Sequence, residues 1–376
     1  MATKTWNQTS GNLASTDANW VGGVKPIAGD NIVLDGTSTA NMTQDLALTF
    51  GSFSMLTGYT GTVTQTVDFG CTDLTLSAGR YSGNWAKVLT VSGTVIEGVY
   101  TDWGTMNICL TGEGKTHVFH GSSVNYKIRV SGACTLQSAF AFVWIIDNTI
   151  VTVSAGGSGG IRWFADYPGS SWSNSGTING PGALIWRFSS AGGSADNTVA
   201  SGTINAPLTI DAAGSSTASH ILTLTAALIL GSTLSVNSSH ATYTMTLDLS
   251  ASNYPLTATI ITEGTRGIIN GRASRIVCTT YTQDGASSVF TQGGFLIVEG
   301  TATVSNGTWA VNENATVDAL AQSGGTITVA AGKVLYYEKT LSQTGGSSSG
   351  TIAQFQARKQ PPIQPAVSRP VDVTNL

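Results

Sequence analysis

Along the chain, apolar residues tend to recur at every second position, the period of a strand with one face buried and one face wet. The pattern is clearest from Thr242 to Leu249, where Tyr243, Met245, Leu247 and Leu249 share one side and threonine dominates the other. The same alternation predicts strands over Thr62–Val67, Thr149–Val153, Ile221–Leu224 and Thr326–Val329, each bounded by Gly, Ser or Asn. No stretch carries a convincing 3.6-residue period, so no amphipathic helix is expected and the class is all-β.

Many predicted strands follow a Gly-Thr-apolar step, as at Gly61-Thr62-Val63, Gly93-Thr94-Val95, Gly104-Thr105-Met106, Gly202-Thr203-Ile204, Gly307-Thr308-Trp309, Gly325-Thr326-Ile327 and Gly350-Thr351-Ile352. The glycine supplies a corner and the threonine opens the strand. The steps are unevenly spaced, which is the signature of a degenerate β-solenoid and not of a regular repeat. Two β-sandwiches in series would use the same short strands and stand as the alternative. In the solenoid reading residues 1–35 form an N-terminal cap, 36–344 the body, and 345–376 a Gly/Ser linker followed by a Pro-rich arm. With about 20 to 25 residues and about 4.8 Å per coil, such a body is a rod of roughly 60 to 75 Å.

Composition narrows the partners. Charged residues make up 10% of the chain, against about 25% in ordinary soluble domains, while 45 glycines and many Ser, Thr and Asn fill the polar positions. A net charge of -4 and the absence of a basic block argue against nucleic acid as a partner. The longest apolar runs, Ala139–Ile146 and Ile221–Leu230, are too short for a membrane helix. Cys71, Cys109, Cys134 and Cys278 sit beside apolar residues without CxxC spacing and read as buried thiols. Five Asn-x-Ser/Thr triplets are what a chain this rich in Ser and Thr produces by chance.

Thr5-Trp6, Asn19-Trp20, Gly22-Gly23-Val24, Pro26, Gly29-Asp30 and Ile32-Val33-Leu34 form an aromatic and Gly-rich opening. A solenoid needs its first open edge covered. Trp6 and Trp20 would lay apolar rings on the first coil, and Pro26 would block further pairing. The plainer alternative is an aromatic-rich first strand. This opening resembles that of bacterial autotransporter and adhesin passenger domains, which are right-handed β-helices. The likeness covers about 35 residues and implies a right-handed β-helix more than any activity. Autotransporters carry an export signal and end in a membrane barrel, whereas here Met1–Thr5 lacks the apolar core of a signal peptide and the last residues are Val373-Thr374-Asn375-Leu376. Similar solenoids serve as spikes, fibres and head appendages of tailed viruses, made in the host cytoplasm and delivered outside by assembly and lysis.

After Gly345-Gly346-Ser347-Ser348-Ser349-Gly350 the composition changes to Arg358, Lys359, Pro361, Pro362, Pro365, Arg369 and Pro370, an extended polyproline-type segment suited to docking on a partner. A disordered tail is the alternative. The resulting expectation is a structural virion protein, a spike, fibre or capsid/tail decoration subunit of a tailed virus. It would act in assembly and surface display, with other virion proteins and copies of itself as partners. A homotrimer is implied by the resemblance alone. A polysaccharide depolymerase on the same scaffold and an exported cell-surface adhesin are the competing readings.

Chemistry is sparse. His117 and His120 lie three apart in a predicted strand and so point to opposite faces, and neither His220 nor His240 has ligand-like spacing, so no metal or cofactor is expected. Asp30, Asp35, Asp68, Asp73 and Asp102 offer carboxylates for glycoside hydrolysis, but most Asp residues adjoin Gly, Asn, Thr or Ser, which is turn chemistry. There is no Gly-x-Ser-x-Gly elbow and no P-loop. A catalytic role is therefore not expected. The aromatic-rich stretch with Trp163, Phe164, Tyr167, Trp172, Trp186 and Phe188 is the candidate ligand platform. Within it Trp163, Tyr167 and Trp172 are the residues for stacking on a host glycan, and core packing or a subunit contact is the alternative.

Overall fold

The computed structural model describes residues 1–98, 102–103, 105–119, 126–137, 140–141, 143–147, 149–154, 161–164, 171–188, 197–200, 202–213, 218–249 and 252–355. They wind into a parallel β-solenoid of about 13 turns, without an α-helix among them. Every ladder between named strands is parallel, which sets the solenoid apart from the antiparallel sandwiches.

Three sheets run along the rod. The first starts with Thr3–Thr5 on Asn31–Leu34, passes through Val95–Glu97 and Ile150–Val153, and ends at Thr351–Gln354. The second holds Leu89–Val91, Met106–Leu110, His220–Leu224 and Thr326–Val329. The third begins as Met42–Gln44, Thr62–Gln65 and Arg80–Ser82 and later holds Leu184–Phe188, Leu208–Ala212 and Thr233–Ser238. From Leu256–Glu263 onward one long strand in each coil serves two sheets, its first half in the first and its second half in the third.

The long strands bend where their alternation slips. In Ile276–Gln283 the side chains of Ile276, Cys278, Tyr281 and Gln283 are buried, so Thr279 and Thr280 both stay outside the core at the corner. The register of Ile276–Gln283 against Leu296–Val304 shifts at the same place. Two consecutive polar residues thus turn the chain while keeping both halves facing inward. Coil length is uneven, from Lys127 pairing with Val143 to Leu228 pairing with Leu256. The loops absorb the difference, which is why the Gly-Thr-apolar steps look irregular in sequence.

The steps themselves mark corners. Gly325 and Gly350 have φ of +62° and +86°, a region that side chains disfavour. A Cβ on Gly350 would also lie 2.2 Å from the Val329 carbonyl of the previous coil. The Gly/Ser stretch after residue 344 is no linker. Ser347–Ser349 and Thr351–Gln354 pair with the preceding coil, so the solenoid continues through Gln354. Serine and glycine repeat the hydroxyl-and-corner chemistry of the coils before them, and composition alone misread it.

The N-terminal end is closed by residues 1–30. Trp6 and Trp20 are buried with ring centroids 5.3 Å apart in an edge-to-face contact. Their indole N–H groups donate to Ala40 O (3.2 Å) and Ala14 O (2.8 Å). Asn7 N donates to Asn19 O and Val21 N to Thr5 O, an antiparallel crossing that engages the outer edge of the first strand. The buried Asn19 side chain ties down the loop before it, accepting from Thr9 N and Ser10 N and donating to Ser10 O and Leu13 O. Asp30 accepts from Ala2 N (2.8 Å) and Ile27 N (3.2 Å), and these bonds, the former foremost, lower its pKa. At the other end Leu341 and Phe355 are exposed, and no further strand follows among the described residues.

Candidate functional site

The predicted glycan platform is core. Trp163 and Trp172 are 0% and 2% exposed, so neither ring offers a face to a ligand. They belong to an internal cluster with Trp144 and Trp186, its centroids 5.4 to 6.1 Å apart. Register explains this: Trp163 stacks over Trp186 and Trp144 over Trp172, each pair one coil apart at an inward position. Stretches dense in tryptophan lie close in sequence, but what brings these rings together is the coil repeat. Tyr167 lies outside the described residues, as do Arg358, Lys359, Pro361, Pro362, Pro365, Arg369 and Pro370 of the predicted arm.

The carboxylates follow turn chemistry. Asp35 accepts from Thr37 N, Asp68 from Val88 N of the next coil, and Asp73 from both Thr94 N and its hydroxyl. The structure does not describe the Asp102 side chain. No group of three or more His, Cys, Asp or Glu suited to a metal occurs among the described residues. His117 is buried, and neither ring nitrogen has a hydrogen-bond partner. Burial pushes its pKa down to about 4. Cys71, Cys134 and Cys278 are buried free thiols, each raised to about 12 mainly by desolvation. Cys109 departs from the expectation, since it is only half-buried with its sulfur 3.7 Å from the Ser131 hydroxyl.

Sequence reasoning missed a buried polar rank at the end of the third-sheet strands. Glu263 pairs with Gln283, Gln283 with Val304, Val304 with Gln322 and Gln322 with Gln343, so these positions stack along the rod, with Glu263, Gln283 and Gln322 buried and Gln343 exposed on the end coil. Gln283 Nε2 donates to Ser288 O and Thr308 O, and Gln322 Nε2 to Ser347 O, where each amide satisfies corner carbonyls. Gln292 Nε2 does the same for Gly294 O and Glu313 O at another corner. The signal was present as Gln283-Asp284-Gly285, Gln322-Ser323-Gly324 and Gln343-Thr344-Gly345, a glutamine two residues before the corner glycine.

Two open grooves mark the outer surface. The first, of about 470 Å³, is lined by Ile150, Thr177, Thr203 and Ile229, successive partners on four adjacent coils, together with Ser175 and Gly202. The second, of about 660 Å³, lies beside the third sheet among Thr64, Gln65, Thr66, Asn84, Trp85 and Thr105. Trp85 is 38% exposed, whereas every other tryptophan whose side chain is described is at most 2% exposed. Its loop is held from three sides: Asn107 Nδ2 donates to Trp85 O (3.0 Å), Ala86 N to the Asn84 side chain (2.8 Å), and Lys87 N to Asn84 O (2.9 Å).

The class this geometry defines is a parallel β-solenoid with a closed N-terminal end. Compared with known protein families, with curated proteins and with solved structures, the chain finds no significant match. The likeness of the opening stretch to adhesin passenger domains and the reading as a tailed-virus protein are thus not joined by a relative.

Proposed function

We propose that this chain is a structural rod displayed on a particle surface, a spike, fibre or decoration subunit of a tailed virus that acts in assembly and display. The observation that carries the reading is one hydrophobic core extending from Trp6 to Leu335 through the stacked coils. Coils that contact only their neighbours make a stiff spacer whose length is set by coil number. Low charge lets copies pack side by side with little repulsion. In this reading the last described coil, with Leu341 and Phe355 exposed, and the Pro-rich segment after it in the sequence form the attachment end for other virion proteins or for copies of the chain.

The test is to purify particles induced from cells that carry the gene, and to locate the chain by peptide mass spectrometry and antibody labelling. It is expected in stoichiometric amount on the particle, and removal of Arg358–Leu376 is expected to leave a folded rod that no longer joins it. Finding the chain only on cells from which no particle can be induced would replace this reading with the adhesin one. Normal incorporation of the truncated chain would remove the role of the arm.

A further inference from the structure

The geometry points to a second activity on the side of the rod: the groove at Trp85 is a binding site for a neutral saccharide. Burial is the rule for tryptophan in this fold, because inward positions need bulk, and Trp85 departs from it on a loop between the strands Arg80–Ser82 and Leu89–Val91. A single exposed apolar side chain is ordinary on a protein surface. Here the indole stands beside a groove of about 660 Å³ whose other described lining residues are Gly83, the hydroxyl residues Thr64, Thr66 and Thr105, and the amide residues Gln65 and Asn84. A flat aromatic ring beside neutral donors and acceptors suits the two aspects of a pyranose, an apolar C–H face that stacks and a rim of hydroxyls that hydrogen-bond.

Charge and rigidity sharpen the class. None of the described residues lining the groove is charged, so nothing there favours a uronic or sialic acid over a neutral sugar. Nor does any of them supply a carboxylate, and glycoside cleavage by the usual route needs a pair. On these described residues the proposed groove binds without cutting. Gln65 is committed already, its Nε2 to Val67 O and its Oε1 to the Tyr81 hydroxyl at 2.9 Å, so it shapes the floor. The three hydrogen bonds fix the backbone of the Asn84–Lys87 loop before a ligand arrives, which lowers the part of the ordering cost that the main chain would carry. A rod on any surface can carry such a groove, whichever assembly it joins.

The experiment uses the full chain with maltohexaose, cellohexaose, laminarihexaose and chitohexaose, and with a sialylated trisaccharide and oligogalacturonate as anionic probes, read by saturation-transfer NMR and calorimetry. At least one neutral oligosaccharide is expected to bind at concentrations up to about 10 mM, and Trp85→Ala to weaken it by at least about tenfold. Trp85→Phe should keep most of the affinity. Thr105→Val, which removes a hydroxyl while keeping shape, serves if the alanine variant folds poorly and should also weaken binding. No neutral probe bound, equal binding by wild type and Trp85→Ala, or binding confined to the anionic probes would each overturn the proposal. Release of reducing ends by the wild type that is lost in Trp85→Ala would overturn the claim that the groove does not cut.

Discussion

Glu263 occupies a glutamine's place, and replacing it with glutamine should make the solenoid more stable in a pH-dependent way. The residue is 0% exposed at the head of the rank that continues through Gln283. Its Oε2 accepts from the Tyr281 hydroxyl at 3.2 Å and its Oε1 has no partner. Burial drives its pKa well above the usual 4.5, while the bonds from Tyr281 and the Ile269 backbone oppose that shift only in part. The folded chain thus keeps a proton that the unfolded chain releases. Stability from this group is full below pH 4.5 and falls as pH rises, until the folded carboxyl itself ionises. Each pH unit in that window costs about 1.4 kcal/mol.

Glu263→Gln removes the ionisation and keeps the shape. Its new N–H group must find an acceptor, and failure to do so would return about 1 to 3 kcal/mol. A comparison across pH separates the two effects, since the amide term does not titrate. Hydrogen exchange of the strands Leu256–Glu263 and Ile276–Gln283, followed from pH 4 to pH 8 alongside urea midpoints, gives a local readout in a rod whose coils respond mainly to their neighbours. The variant's advantage is expected to widen with pH above 4.5. An advantage that stays constant, or shrinks, as pH rises would refute the buried neutral acid.

His117 should act in the opposite direction. Its pKa falls from 6.5 to about 4 through burial, so the unfolded chain takes up a proton first, and stability is lost as pH drops from 6.5 towards 4, by about 3 kcal/mol in all. His117→Leu should flatten that acid limb in urea titrations, and an unchanged limb would assign it to other groups. Trp20→Ala removes a buried ring and its bond to Ala14 O and should cost about 3 to 5 kcal/mol at the capped end. Faster hydrogen exchange is expected over residues 1–44, with protection beyond Ile276 unchanged; uniform loss along the chain would contradict the one-dimensional picture.

Much of the fold was legible in the sequence because a strand's period of two is a local property. Strands at Thr62–Gln65, Ile150–Val153, His220–Leu224 and Thr326–Val329 lie where alternation placed them, and the step glycines Gly307, Gly325 and Gly350 take the left-handed backbone of a corner. The opening tryptophans stood out in the sequence as large apolar rings, and both are buried. The third-sheet corner bends were harder, because the alternation slips by a residue there and the two halves of Ile276–Gln283 read as one strand. The Gly/Ser stretch misled because composition does not distinguish a flexible linker from a coil built of small residues.

What the sequence by itself determined is the kind of object: β-strands, corners, a capped start and a surface of hydroxyls. Only the tertiary structure decided which aromatic rings face in. Trp163 and Trp172 look like a platform from their neighbours in the chain, yet their packing partners are set by residues one coil away, at separations that loop length changes from coil to coil. The same stacking buries Glu263 between Val236 and Gln283 and leaves Trp85 outside beside a groove. Register across coils is a three-dimensional quantity, and in a solenoid it decides which side chains become core and which become site.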